Sequence, residues 1–233
     1  MERSWHVAVR DTLLVLLTVT TGVVDAGCFL GLGSVFSSVI TGNLVLLGIS
    51  AGTQSATLAV HAGVALAGYS AGVMAGAPIA VRRSGQDGTW PPSVTVTLAV
   101  EFFLLSVASV GWELTAGHPG RAVQLVLVAA LAACMGMQAA AVPQLGHMST
   151  TYLTSTLTGV LAGLVTRTKP EGLARSIGVL AAIVTGAVIG GVVVKLAPAW
   201  LPAAMLAPLG LVIVLSVAGF EPVREQLTGG RDR

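Results

Sequence analysis

The residues of this chain best suited to chemistry are polar groups set inside long apolar runs. Asp25 comes first. In TGVVDAGCFLGLGSVFSSVITGNLVLLGIS, residues 21–50, it precedes a Gly31-Leu32-Gly33 break and a second apolar run that opens on Thr41-Gly42-Asn43. An ionised Asp at the centre of a bilayer costs about 2.5–3.5 kcal/mol on insertion scales, so such a group faces a polar interior or is kept neutral. It could bind a cation, a proton or the donor groups of a solute. The alternative is a structural carboxylate, hydrogen-bonded to Ser or Thr hydroxyls or to a broken helix end. A helix begun at Thr41-Gly42-Asn43 inside the membrane would aim free N–H groups and the positive end of its dipole at an anion or polar solute. In the plainer reading the Thr and Asn side chains only cap that end.

The second half carries Gln138 and the triplet Thr154-Ser155-Thr156 in comparable settings. Gln138 is either an amide counterpart to Asp25 or an interhelical hydrogen bond worth about 0.6–2 kcal/mol. Glu101, about a third of the way along its apolar run, is a second intramembrane acid. The candidate solute- or ion-binding set is therefore Asp25, Thr41, Gly42, Asn43, Gln138, Thr154 and Thr156, with Glu101 as an addition. Glu113 and Trp112 read as interface residues, and so do His61, His118 and His147. No HExxH, GxSxG or phosphate loop occurs, so no catalytic residue, metal or cofactor is expected and the chain is not read as an enzyme. Cys28 and Cys134 lack CxxC or Cys/His spacing and read as small core residues.

The elements that position these groups follow from composition. Of 233 residues 54% are hydrophobic and 9% charged, with a mean hydropathy of +0.87. Soluble domains carry about 25% charged residues, so this is an integral membrane protein. Its partner is the bilayer and, for transport, a small polar solute or ion. Net charge is +2 with the cations in short clusters between apolar runs, which leaves no nucleic-acid surface. A homo-oligomer is compatible with the sequence. Asp25 stands three residues before Cys28, where a lipoprotein signal usually has Leu, so the N-terminal run is expected to stay as a membrane helix.

Six apolar runs have the length of about 20 residues that a crossing needs: Thr12 to Leu32, Ala56 to Val81, Ser93 to Thr115, Ala122 to Val142, Leu173 to Leu196 and Leu201 to Phe220. Two runs are shorter or more polar, Val35 to Ala51 and Met148 to Val165. Turn signals separate them: the loop around Arg82 to Gly88, Gly117-His118-Pro119-Gly120, the basic stretch from Thr166 to Arg175, and Ala197-Pro198. With six crossings and the N-terminus inside, ten Lys and Arg residues fall on the cytoplasmic side, leaving Arg121 and Lys195 outside. With eight crossings the division is nine against three, so the positive-inside rule prefers six and places both termini in the cytoplasm. The glycines Gly63, Gly68, Gly72, Gly76, Gly178, Gly186 and Gly190 predict close helix packing.

A shift of 113 residues lays the second half on the first: Asp25 on Gln138, Leu32-Gly33 on Leu145-Gly146, and Thr41 to Leu44 on Thr154 to Leu157. Identity is five of the 27 positions from Gly22 to Gly48, too low to carry a repeat by itself. The order of features argues better. Each half runs from a long helix with one polar residue through a Gly break and a short Ser/Thr-rich run to a glycine-spaced helix and a further helix. With three crossings per half the halves are inverted, and interrupted segments at matching places in inverted halves point to a transport site near the midplane. With eight crossings the halves would be parallel.

Gly22, Asp25, Ala26, Phe36, Thr41, Gly42, Asn43, Gln138, Ala139, Ser149, Thr150, Thr154 and Thr156 carry a pattern that resembles the YoaK-like family of bacterial inner-membrane proteins, a domain of unknown function. That pattern is a Gly-x-x-Asp-Ala entry, a Phe-x-x-x-Met-Thr-Gly-Asn turn, a Gln-Ala run, and then Ser-Thr and Thr-x-Thr. Ile40 stands here where the family commonly has Met. The resemblance spans about Thr12 to Phe220 and implies a bacterial inner-membrane location without implying an activity.

The expected architecture is an all-α membrane protein of six transmembrane helices plus two short interrupted or re-entrant segments in two pseudo-repeats, about 11–115 and 122–220. A polar tail follows over 221–233. The expected function is secondary transport or permeation of a small solute, proton-linked if Asp25 titrates. The rival is a non-transporting scaffold or partner-binding subunit in which the same residues glue helices.

Overall fold

The computed structural model describes residues 2–81, 90–145, 153–166 and 172–228. Eight α-helices are described: α1 (Glu2–Gly31), α2 (Ile40–Gly52), α3 (Ala56–Val81), α4 (Pro92–Leu114), α5 (Arg121–Ala141), α6 (Leu153–Thr166), α7 (Leu173–Leu196) and α8 (Leu201–Thr228). Short 3-10 turns follow α5 (Val142–Leu145) and precede α8 (Pro198–Trp200). All six of the expected long runs are helices long and apolar enough to cross a membrane. Helix α8 continues to Thr228, beyond the expected start of the tail. The loop at 82–89, the segment 146–152 with His147, Ser149 and Thr150, the basic stretch 167–171 and residues 229–233 lie outside the described residues.

Two helix pairs form the frame, and small residues bring each pair together. Gly68, Gly72 and Gly76 of α3 lie against Ala129, Ala133 and Met137 of α5, and Gly136 lies against the Tyr69 carbonyl in return. A Cβ at Gly68 would stand 2.5 Å from the Ala129 carbonyl oxygen. Gly22 of α1 meets Ile183 and Ala187 of α7, while Gly186 and Gly190 meet Val19 and Val23. In lipid, where apolar side chains gain nothing by leaving water, such backbone approach is what holds helices. Gly63 has nothing within 4 Å and takes no part.

The contacts also fix direction. In both pairs residue numbers rise together, so α1 runs parallel to α7 and α3 parallel to α5. Helix α4 runs against α5, with Leu127 at Gly111 and Cys134 at Glu101. It also runs against α8: Thr95 bonds Ser216, Phe102 packs on Gly210, and the Trp112 Nε1–H donates to the Pro198 carbonyl at 2.9 Å. The last residue of α1, Gly31, lies on Trp112 near the end of α4. Helices α1 and α4 therefore finish at one end of the bundle, and α3, antiparallel to α4, starts there.

It follows that α2 leaves and returns at the same end without crossing. By the same reasoning α6, between the end of α5 and the start of α7, leaves and returns at the opposite end. Eight crossings would make α4 and α8 parallel, so the Thr95–Ser216 and Trp112–Pro198 contacts select six. The lengths agree, since 13 and 14 residues rise about 20 Å against a core about 30 Å thick.

Apolar side chains such as Met74, Phe103, Val126 and Leu196 are exposed around the outside, as a lipid-facing surface requires. The Lys and Arg residues among the described ones stand near helix ends. Asp11 accepts from Arg10 at 3.0 Å and from Arg175 at 3.3 Å, tying the starts of α1 and α7.

Candidate functional site

The site is built on the turn between α1 and α2. Gly33 at φ +97° and Ser34 at φ +60° reverse the chain, a left-handed pair that needs a glycine in first place. Gly33 is also held by packing: a Cβ there would collide with the His61 ring on α3. His61 is thus buried near the start of α3, with Nδ1 on the Thr57 carbonyl at 2.8 Å. Trp112, near the end of α4, is buried against Gly31 and bonded to Pro198.

The reversed chain returns to Asp25. One carboxylate oxygen, Oδ1, accepts the Ser37 N–H at 2.8 Å, the Ser37 hydroxyl at 2.7 Å and the Ser38 N–H at 2.8 Å. The other, Oδ2, accepts the Ser38 hydroxyl at 2.5 Å. Asp25 lies six residues before the end of α1, so Ser37 and Ser38 sit about 9 Å of helix rise inside that end. Asn43, on the first turn of α2 and fully buried, closes the same hairpin. Its Oδ1 accepts the Phe36 N–H at 3.0 Å and its Nδ2 donates to the Phe36 carbonyl at 2.6 Å. Phe36 stacks on Phe29 of α1 with ring centroids 5.0 Å apart.

This arrangement decides what the start of α2 does. The two N–H groups just ahead of its cap, Val39, are bonded to a carboxylate supplied by α1. The helix dipole favours a negative charge at this place, and the chain fills it from within. Of the two readings of the α2 start, filling by the chain's own groups is the one this arrangement favours. Thr41 and Gly42 make no cap: the cap position has no side-chain bond, and Thr41 is exposed. Helix α2 also begins at Ile40 rather than Val35, because residues 35–39 form the loop that Asp25 and Asn43 hold.

Gln138 joins from α5. Its Nε2 donates to the Thr21 hydroxyl at 3.1 Å and the Leu17 carbonyl at 3.3 Å. Thr21 is one turn below Asp25 on α1, so Gln138 and Asp25 share one polar stripe along that helix. Thr154 and Thr156 do not join. They are carried by α6, which packs on α7 while α2 packs on α3, and the two short helices occupy opposite ends. Thr154 is exposed and Thr156 half-buried. A single pocket shared by both short runs is not what the described residues form.

Besides the His61 Nε2 and the Ser109 hydroxyl, two acceptor groups in this region lack partners among the protein atoms. Glu101 is fully buried and neither carboxyl oxygen is hydrogen-bonded; the Gln138 Oε1 is in the same condition. Glu101 stands out in the sequence as an acid in an apolar run, but its position opposite Cys134 needs the fold. A nearby apolar pocket, walled by Gly27, Leu131, Trp112 and Met205 and touched by the Ser109 hydroxyl, encloses about 10 Å³, room for about one water. The free thiols of Cys28 and Cys134 are core, as expected.

Residues 13–218 match the family described as protein of unknown function (DUF1275). The chain is 36% identical over 156 residues to the UPF0700 transmembrane protein YoaK of Bacillus subtilis (strain 168), an alignment covering 66% of this chain and 67% of that protein. No solved structure matches it.

Proposed function

The chain belongs to the DUF1275 family of proteins of unknown function, and we propose that it is a secondary transporter of a small polar solute or ion, set in the bacterial inner membrane with both termini cytoplasmic. The observation that carries the reading is the α1–α2 hairpin. A chain segment returns about 9 Å inside the bundle, breaks its helix there, and is held by side-chain bonds to one buried acid. Broken helices at membrane depth are tolerated where they are buried or line a cavity, and transport sites are built on them.

An inverted repeat supports the same reading. A shift of 113 residues takes Ile40, the start of α2, onto Leu153, the start of α6. It also takes α1, α3 and α4 onto α5, α7 and α8. Under that exchange the α1–α7 pair becomes the α5–α3 pair, and both are the tightest in the bundle. Halves related in this way rock against each other about a fixed site in alternating access. The path proposed runs along the polar stripe of α1, from Asp25 and Asn43 at the hairpin to Thr21, Gln138 and Glu101. Thr154 and Thr156 stand outside it.

The test is a solute screen on purified protein in liposomes. Asp25→Asn keeps an acceptor oxygen for Ser37 and Ser38 but removes the acid; it is expected to insert normally and lose uptake. Wild-type uptake in that variant removes Asp25 from the mechanism. The second reading, a non-transporting scaffold, is favoured by the complete engagement of the Asp25 oxygens. It is the reading left if the wild-type protein moves nothing in the screen.

A further inference from the structure

Asp25 is surrounded by donors, whereas Glu101 has none. Its carboxyl is fully enclosed on α4, and no protein group bonds either oxygen. The neighbours are few. Helix α4 packs on α5, α8 and α3 and meets the end of α1 at Gly31, the helix that carries Cys28 and Asp25, the latter held by Ser37 and Ser38. Helix α5 brings Cys134, whose Sγ is 3.8 Å from the Glu101 carbonyl, with Arg121 only at its start. Helix α3 carries Tyr69 and, near its beginning, His61, while α8 has no titratable residue between Leu201 and Ala218. Among the described residues no Lys or Arg is at hand to balance a charge.

One acceptor is. Helices α4 and α5 run in opposite directions with Cys134 beside Glu101, so Gln138, one turn beyond Cys134, lies one turn toward the α4 N-terminus. Side chains on a helix lean toward its N-terminus, which carries the Glu101 carboxyl to the Gln138 level. The Gln138 Nε2 is committed to Leu17 and Thr21, leaving its Oε1 unpartnered and buried. An ionised carboxylate facing an amide oxygen repels it and leaves both without donors. The neutral acid supplies the one O–H that satisfies both.

We propose that Glu101 and Gln138, on facing turns of α4 and α5, are the proton-binding site of this protein, the proton residing on Glu101 and shared with the Gln138 oxygen. This rests on the transport reading for its purpose, coupling to a solute, but not for its existence. Gln138 links the site to α1 one turn below the Asp25 hairpin. Deprotonation of Glu101 removes the donor to Gln138 and frees that amide to turn, which disturbs its hold on Thr21. Asp25 then holds the hairpin and lines the solute path, and Glu101 is the group that takes up and gives off the proton.

The experiment is infrared spectroscopy of the full-length protein in liposomes over a pH series, reading the carbonyl band of a protonated carboxyl and its shift in D₂O. The band is expected in the wild type, retained in Asp25→Asn, displaced in Gln138→Leu, and lost in Glu101→Gln. A band that survives in folded Glu101→Gln overturns the proposal. Should that variant not fold, labelling the wild type with dicyclohexylcarbodiimide, which adds to protonated carboxyls, decides it. A Glu101 adduct that declines as pH rises supports the site, and absence of an adduct at every pH removes it. A Glu101 band in a protein that moves no solute removes the transport reading alone. Uptake without the band removes the proton site alone.

Discussion

Replacing Asp25 with Ala leaves the hairpin without its clasp, and the size of the effect follows from which donors lose a partner. The Ser37 and Ser38 hydroxyls can turn to other acceptors, so they are set aside. The two backbone N–H groups are fixed by the turn and cannot. Each buried donor left unsatisfied costs about 1–3 kcal/mol, so the hairpin loses roughly 2–6 kcal/mol relative to wild type. At about 1.36 kcal/mol per factor of ten, hydrogen exchange of the Ser37 and Ser38 amides in detergent accelerates at least about 30-fold, while amides in the middle of α5 are unaffected. Asp25→Asn keeps the Oδ1 acceptor for both N–H groups, and the Ser38 hydroxyl can reverse to accept from the new amide. Its acceleration is expected to be much smaller. Unchanged exchange at Ser37 and Ser38 in Asp25→Ala would refute the assignment of Asp25 as the group that holds the hairpin.

The other expectations are more local. Asn43→Ala removes both bonds to Phe36 and should cost about 1–3 kcal/mol, read as faster exchange at the Phe36 amide with no change at α4. Gly72→Leu places a side chain into the backbone of Ala133 and should abolish the monodisperse species in size-exclusion chromatography, whereas Gly63→Leu, with open space around it, should elute as wild type. Trp112→Phe loses the bond to Pro198 and should lower stability by about 1 kcal/mol in a thermal melt. Asp11→Asn breaks a half-exposed ion cluster, and its cost of about 0.2–1 kcal/mol should fade as salt is raised.

The spans were legible because length and hydropathy are properties of a local window; α3 and α7 begin and end at the residues where the apolar runs do. The glycine pattern likewise announced helix contact, although only the fold tells Gly72, pressed on Ala133, from Gly63, which touches nothing. What could not be read locally was anything decided by a distant partner. Val35 to Val39 are as apolar as the helix that follows, and they stay out of it because Asp25 takes the Ser37 and Ser38 N–H groups from 12 and 13 residues away. That Trp112, near a span end, bonds the carbonyl of Pro198, 86 residues on, shows only in the fold. So does the cover that Gly33 gives His61. Asp25 was recognisable as a costly residue, but its cost is met by the hairpin, and the unmet one at Glu101 shows only when α5 is packed alongside.

The charge balance at depth narrows what a transporter of this design can carry. A helix N-terminus inside a membrane is ordinarily an anion site; here α1 already presents a carboxylate to the start of α2, so an arriving anion would have to displace a tethered one. Arg10, Arg121, Arg175 and Lys195 all stand near helix ends, and among the described residues the depth between Asp25 and Glu101 holds acids, an amide and hydroxyls but no cation. When Glu101 gives up its proton, its carboxylate and the Gln138 Oε1 are left as acceptors without donors. A cation, or a neutral solute rich in O–H and N–H groups, completes such a set, whereas a carboxylate or phosphate adds acceptors to acceptors. A liposome screen that returned organic anions as substrates would therefore contradict the path along α1 even while upholding transport itself.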